Sequence, residues 1–399
     1  MSSVPPTGPA GVAVPYWRLS GFYFFYFGLL GATAPYLAAW FAYLGFASAR
    51  IGELVAIPML MRCVAPHLWG WLADRSGRRL AIVRLGAAST LCAFSLVFAS
   101  HSYAWLALVM ALHAFFWHAV LPQFEAITLA HLREAPERYG QVRLWGSVGF
   151  IAAVVLMGRA FEAAGLSAYP YTVLVIMAGI LLASLWVPVP PCSPAKASAS
   201  AEGFWPRLRQ RPVLAFYGCV ALMQLSHGPY YTFFTIHLEH LGYSRAGIGL
   251  LWALGVVAEV LMFMAMRRIL GRWPVQQVLA ASFALAALRW ALLGGFAQAW
   301  PVLLLAQVLH AATFGSFHAA AIHFVQQRFG AARQGQGQAL YAALSGAGGA
   351  LGALYAGYAW GSLGALATFA LASVAAGAAA VIIATQMHTP PAPPPATVD

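Results

Sequence analysis

Residues 70–79 read Gly70-Trp71-Leu72-Ala73-Asp74-Arg75-Ser76-Gly77-Arg78-Arg79, a charged turn set between two apolar blocks. Gly77 permits a tight turn, Gly70 lets a neighbouring helix approach, and Asp74 among arginines can form a charge-assisted lock. The turn stands out because the chain around it is so poor in charge. Of 399 residues, 61% are hydrophobic and 8% charged, with a mean hydropathy of +0.74. A soluble protein runs at about 45–50% apolar and about 25% charged, so this chain is an integral membrane protein. Its 14% aromatics, 38 Gly and 24 Pro suit closely packed helices with interfacial Trp and Tyr. The alternating segments of about ten residues that mark a barrel are absent. Soluble folds, secreted disulfide scaffolds and nucleic-acid binders drop out, because the 22 basic residues behind the +12 net charge are dispersed between apolar blocks. Cys63, Cys92, Cys192 and Cys219 show no CxxC or CxxH spacing and read as packing residues, with neither a metal site nor a cofactor implied.

Outward from the turn, a bilayer core of about 30 Å needs roughly 20 apolar residues per helix. The chain divides into twelve such blocks: 19–44, 50–73, 80–99, 104–131, 140–162, 168–189, 212–238, 246–268, 274–295, 299–325, 335–360 and 362–386. The first is too long for a signal-peptide core and lacks a clear cleavage site, so it is expected to stay as a spanning helix. Residues 188–211, rich in Pro, Ser and Ala and holding the only lysine, Lys196, read as a flexible cytoplasmic linker. Expected domains are a six-helix bundle over 1–187, that linker, and a second six-helix bundle over 212–399 that ends in a disordered Pro-rich tail, 390–395. The stretch Val4-Pro5-Pro6 is expected to be disordered too. Placing the N-terminus inside assigns 16 Lys and Arg to cytoplasmic loops and leaves Arg50, Arg159 and Arg245 outside. Both termini are therefore expected in the cytoplasm of a bacterial inner membrane. Arg62, Arg143 and Arg289 fall within helices or at their edges.

A constant offset of 197 residues relates the halves. Gly31 maps to Gly228, Leu44-Gly45 to Leu241-Gly242, Ile51-Gly52 to Ile248-Gly249, Leu112-His113-Ala114 to Leu309-His310-Ala311, Gly140-Gln141 to Gly337-Gln338, and Gly149 to Gly346. One register across five helix pairs reads as parallel structural repeats. Such bundles place a substrate site at their interface near mid-membrane, and rocking one against the other gives alternating access.

The 70–79 turn carries the first Gly, the Asp-Arg pair, the second Gly and the paired arginines of the G-x-x-x-D-R-x-G-x-R-R signature, with the arginine pair directly after Gly77, and the chain is identified on it as resembling the major facilitator superfamily. The resemblance implies a gate built from Gly70, Asp74, Arg75, Gly77, Arg78 and Arg79; the equivalent stretch near Arg267, Arg268, Gly271 and Arg272 has lost the acid. Few acidic residues exist, and Glu125 and Glu259 lie well inside apolar blocks, where a charge costs at least about 2.5 kcal/mol unless paired, hydrated or protonated. Each is a functional candidate, the plainer alternative being a neutral acid bonded to a neighbouring helix. Glu125, with Arg143 18 residues later in Tyr139-Gly140-Gln141-Val142-Arg143-Leu144-Trp145-Gly146-Ser147-Val148-Gly149-Phe150, resembles the lactose permease branch, and the phrasing is closer still to its phenylpropionate permease-like relatives. The resemblance implies that Glu125 and Arg143 bind substrate together. It also implies that Phe150 offers a ring face where lactose permease has Trp. In the second half it implies a proton-coupling set of Glu259, Arg289 and His310. Apolar surroundings favour the neutral acid, and a nearby guanidinium can drive its proton off. The acid that the permease carries three residues after the His is Thr313 here.

The repeat adds one relation of its own: Arg62 plus 197 is Glu259, so both are expected to face one cavity. Arg62 and Arg143 would then make an anion site suited to a carboxylate; the alternative is that Arg62 snorkels or bonds helix carbonyls. His118 shares a helical face with Glu125 and is the best further cavity candidate. Interhelical hydrogen bonding is the plainer role for His113, His118, His318 and His323. The reading is an all-α membrane protein of twelve transmembrane helices: a monomeric, proton-coupled importer of a small organic solute such as an aromatic carboxylate. Its partners are substrate, proton and lipid bilayer, with no nucleic acid. Rivals are a proton-coupled exporter of drugs or metabolites, a sugar or nucleoside symporter, a membrane enzyme and a channel. No catalytic cluster or filter argues for the last two.

Overall fold

The computed structural model describes residues 14–133, 135–190 and 203–387, and among them every regular element is helical. The helices are α1 (Tyr16–Tyr43), α2 (Ser48–Ser76), α3 (Arg79–Ser95), α4 (Tyr103–His131), α5 (Tyr139–Ala164), α6 (Tyr169–Trp186), α7 (Phe204–Leu208), α8 (Arg211–Ser226), α9 (Gly228–His240), α10 (Arg245–Arg272), α11 (Val275–Phe296), α12 (Trp300–Val308) and α13 (Phe317–Gln386). A π-helical turn, Ala311–Ser316, joins the last two. Local chemistry sets the ends. Proline opens α6, α8, α9 and α12, where a missing N–H costs nothing. Ser244 Oγ caps α10 by accepting from Gly247 N–H at 3.1 Å, and Gly77, with φ 67°, ends α2.

Among the described residues, ten helical stretches are long and apolar enough to cross a membrane, against twelve apolar blocks in the sequence. The difference lies in two places. His227-Gly228-Pro229 interrupts block seven, leaving α8 and α9 individually short. Blocks eleven and twelve form one helical run from Arg333 to Gln386, broken only at Gly364, whose φ of 79° is left-handed. The stretch expected as flexible linker is helical at α7, which Arg207 ties down by donating to the carbonyls of Arg328 and Phe329 (3.2 and 2.9 Å). Residues 191–202 of that linker, with Cys192 and Lys196, and both Pro-rich ends lie outside the described residues.

Two large apolar cores form, one drawing almost wholly on residues 19–187 and the other on 213–387. Between them, α2 packs along α13 and α5 along α10. These crossings are close because lipid offers no hydrophobic drive between helices, so small residues and hydrogen bonds must supply it. A Cβ at Gly52 would stand 2.5 Å from Ala353 O, and one at Gly249 2.4 Å from Val154 O. Three hydrogen bonds between the two groups lie at the same end: Tyr358 OH donates to Glu53 Oε1 (2.6 Å), Ala246 N–H to Glu162 Oε2 (2.8 Å) and Arg245 Nη1 to Phe161 O (3.0 Å), while deeper along α2 Cys63 Sγ donates to Ala343 O (3.2 Å). At the opposite end, which carries the 70–79 turn, Arg79 pairs with Asp74 and donates to Gln123 Oε1 on α4 (2.6 Å). That lock stays within α2–α4. A Cβ at Gly70 would meet nothing within 4 Å, so the close approach expected there is not made in this conformation.

The tightest intrahelix-bundle contact is at Gly149, where a Cβ would stand 2.0 Å from Phe24 O. Gly149→Ala must separate α1 from α5, and overpacking of this kind costs about 1–3 kcal/mol. Thermal unfolding in detergent should show a clear fall for that variant and none for Gly218→Ala, which points into open space.

Candidate functional site

Two polar clusters stand inside the helices. In the first, α4 presents Glu125 and α5 presents Arg143, with Nε and Oε1 at 3.9 Å. The pair is loose and open, the side chains being 38% and 31% exposed. Arg143 is held more firmly by an aromatic seat on α1: its guanidinium lies 3.8 Å over the Phe27 ring and 5.4 Å from that of Tyr23. Tyr23 is fixed by donating to Thr128 Oγ1 at 3.2 Å. Gly146, one turn beyond Arg143, makes the seat possible, since a Cβ there would meet Phe27 Cδ2 at 2.7 Å and Arg143 Nη1 at 2.8 Å.

The second cluster is buried. Arg289 on α11 has no exposed surface and spends four of its five N–H groups on neutral acceptors. Nε donates to Ala306 O (2.7 Å), Nη1 to His310 Nδ1 (3.2 Å) and Thr313 Oγ1 (3.1 Å), and Nη2 to Gln307 Oε1 (3.2 Å). Ala306 lies in the last turn of α12, where carbonyls lack an intrahelical partner and can accept from a side chain. The guanidinium is also sandwiched by Tyr230 (4.2 Å) and Trp290 (4.7 Å), and Tyr230 OH donates to the same Gln307 oxygen (3.1 Å). Arginine can only donate, so His310 Nδ1 must accept and its ring hydrogen sits on Nε2. That nitrogen faces Glu259 Oε2 at 3.4 Å. The chain Arg289, His310, Glu259 thus has a defined direction, with the carboxyl at its open end.

Of the residues singled out by sequence, the structure brings Glu125 to Arg143, and Glu259 to His310 and Arg289. Arg62 makes no hydrogen bond or ion pair among the described residues and is exposed in the middle of α2. His318 on α13 lies within coulombic range of Glu259, Arg62 and Arg143, which come from three other helices. His118 is directed elsewhere, its Nε2 bonded to Pro58 O on α2 (3.1 Å). Phe150 is buried within the second core. Of the other histidines, His318 bonds across to Tyr341 OH (2.9 Å), whereas His323 bonds only within its own helix, to Gln327 (2.9 Å). Phe27, Tyr23, Gly146, Tyr230 and Gln307 were not read from sequence. A signal existed for Gln307: it is fully buried one turn before His310, an amide that an apolar helix does not carry idly.

The family model for the MFS_1-like family matches residues 16–371. A probable 3-phenylpropionic acid transporter of Escherichia coli strain K12 is 31% identical over 343 residues, 83% of this chain and 87% of the relative. A maltose permease of Geobacillus stearothermophilus is 26% identical over 279 residues, 67% and 68% of the two chains. Among solved structures, the nucleoside transporter NupG superposes with a TM-score of 0.79 at 18% identity, covering 93% of this chain and 98% of that one. A POT-family transporter in complex with 5-aminolevulinic acid superposes with 0.75 at 12% identity, covering 96% and 97%. At these identities the structures speak for the fold alone.

Removing Arg289 would leave Ala306 O and Thr313 Oγ1 without their buried donor, at about 1–3 kcal/mol for each group stranded. Arg289→Gln should therefore lower the unfolding temperature in detergent markedly. Arg62→Gln, which breaks no bond, should stay within about 0.5 kcal/mol of the parent.

Proposed function

The chain belongs to the MFS_1-like family and is a membrane transporter, not an enzyme; from that premise we propose a proton-coupled symporter that imports a small aromatic carboxylate of phenylpropionate type by alternating access. The observation that carries the reading is the pair of clusters: a carboxyl, Glu259, facing His310 Nε2 at 3.4 Å with Arg289 behind the ring, and an open guanidinium, Arg143, held on the Phe27 face beside Glu125. The cations Arg143 and Arg62 suit a carboxylate, Glu125 and the Phe27 ring beside Arg143 border its seat, and Glu259 carries the proton with His310 and Arg289 behind it. Phe150 and His118 support this site from the core and from α2. Moving one proton with a monoanion cancels the electrical cost of import into an inside-negative cell, about 2.3 kcal/mol per 100 mV for each unit charge.

The same proposal includes twelve spans in two six-helix repeats, residues 1–187 and 212–399, joined through 188–211. Supporting it, Gly45 and Gly242, 197 apart, both turn the chain with left-handed φ (87° and 84°). Gly52 and Gly249, likewise 197 apart, each cross to the other group of helices at matching depth. With arginine-rich loops and both termini in the cytoplasm of a bacterial inner membrane, the bonded Glu53 end is the outer face, and the monomer stands closed outside and open inside. Asp74, Arg75, Arg78 and Arg79, with Gly70 and Gly77, form the inner gate, which meets its partner helix when the inside closes.

The maltose permease relative favours a second reading, a neutral sugar as cargo. Uptake of labelled 3-phenylpropionate and of its neutral amide separates the two. Arg62→Gln should cut carboxylate uptake about tenfold, the loss of one charge-assisted contact, and leave the amide unchanged. Equal losses would remove the anion site. Addition of substrate to de-energised cells should make the medium alkaline, and acidification would point to an exporter.

A further inference from the structure

Glu259 has a second imidazole on its other side. Along one line of the π-helical turn and the start of α13, the rings of His310, Phe314 and His318 stack in sequence, with centroids 5.5 and 6.2 Å apart and planes inclined by 14° and 10°. Rings spaced four apart share one helical face, and the π turn that carries Phe314 is of a kind that recurs at functional sites. Gly315 leaves a notch in the same face. A Cβ there would stand 3.2 Å from Glu259 Cγ, so the Glu259 side chain runs over Gly315, five residues after His310 and three before His318. His318 is oriented by Tyr341 OH of α13, 2.9 Å from Nδ1. Its Nε2 has no partner among the described residues, and the ring is only half-buried. The charged groups facing it are Glu259 from α10, Arg62 from α2 and Arg143 from α5.

We propose that His318 takes the proton from Glu259 on the side of the space that holds Arg62 and Arg143; the inference rests on the proton-coupling reading above. The carboxyl rotates over Gly315 away from His310. Its O–H bond breaks as an N–H bond forms at His318 Nε2, leaving a carboxylate and an imidazolium, and Nδ1 keeps its hydrogen by donating to Tyr341. No oxidant or further reactant is needed. A substrate carboxylate seated on Arg62 and Arg143 attracts that imidazolium, so proton and anion hold each other in one site. The imidazolium then loses its proton to water when the space opens. His310, tied through Nδ1 to Arg289, serves as the resting partner of Glu259, and His318 as the outlet.

Reconstituted full-length protein in liposomes tests this with labelled 3-phenylpropionate, measured above protein-free liposomes in two modes: uptake driven by an imposed pH gradient, and substrate counterflow, which needs no net proton movement. His318→Gln, which keeps a partner for Tyr341, should lose about a hundredfold of driven initial rate, the lower range of what a positioned acid or base contributes. Counterflow should stay close to the parent. Gly315→Ala, which blocks the rotation, should show the same split. Unchanged driven uptake in His318→Gln overturns the assignment, and so does a parallel loss of both modes, which marks a structural role. A parent protein that shows counterflow without gradient-driven uptake overturns proton coupling itself, and that result is read before any variant is made.

Discussion

A guanidinium held in a membrane protein with no carboxylate touching it constrains everything around it. Arg289 meets that constraint with a backbone carbonyl, an amide, a hydroxyl, an imidazole nitrogen and two ring faces. Each choice has a structural consequence. The carbonyl requires α12 to end where it does, and the amide fixes Tyr230 just after the break between α8 and α9. The imidazole is forced into one tautomer. The balancing negative charge is then displaced by one residue, to Glu259, which His310 reaches with its other nitrogen. An acid placed directly on the arginine would have formed a closed ion pair with it. With Thr313 bonded to the arginine instead, the Glu259 carboxyl is separated from the guanidinium by the His310 ring.

The first cluster is built on the opposite principle. Arg143 leans on Phe27 and keeps a long, open contact to Glu125. A guanidinium on an aromatic face retains most of its hydrogen-bonding edge, which is what a ligand needs. Charge at rest and charge on offer are thus divided between the two groups of helices. The close glycine crossings of α2 with α13 and α5 with α10 bring them to one space. Buried arginine sets the scaffold, and exposed arginine provides the site.

Much of this was legible in the chain. Scarcity of charge picked out Glu125, Glu259, Arg62, Arg143 and Arg289, since a bilayer tolerates such residues only where they are used. The pairing of Glu125 with Arg143 and the grouping of Glu259, Arg289 and His310 followed from spacing shared with a known branch. Partners without charge were hidden. Phe27 and Tyr23 are two aromatics in a run of them, Tyr16 to Phe27, and periodicity cannot say which ring faces a guanidinium. Gly146 is one of 38 glycines, and only the three-dimensional crossing shows which of them makes room for a side chain. Phe150 and His118 share a face with site residues along their helices, but neighbouring helices cover them, which a single-helix argument does not foresee. The helix count suffered likewise: hydropathy measures apolar length, while His227-Gly228-Pro229 and Gly364 decide where the path breaks.

The break after His227 bears on more than counting. Tyr230 sits in the first turn of α9, stacked over Arg289 and Trp252 and bonded to Gln307, so the start of that helix is anchored to the buried cluster. Farther along, Phe233 and Ile236 of the same helix enter the first apolar core. One short helix therefore touches both the buried Arg289 cluster and the other group of helices, with His227 and Gly228 at its base. Its Tyr230 ring lies directly on the guanidinium, and the same helix packs against α1, so the buried charge and the crossing between the two groups stand one helix apart.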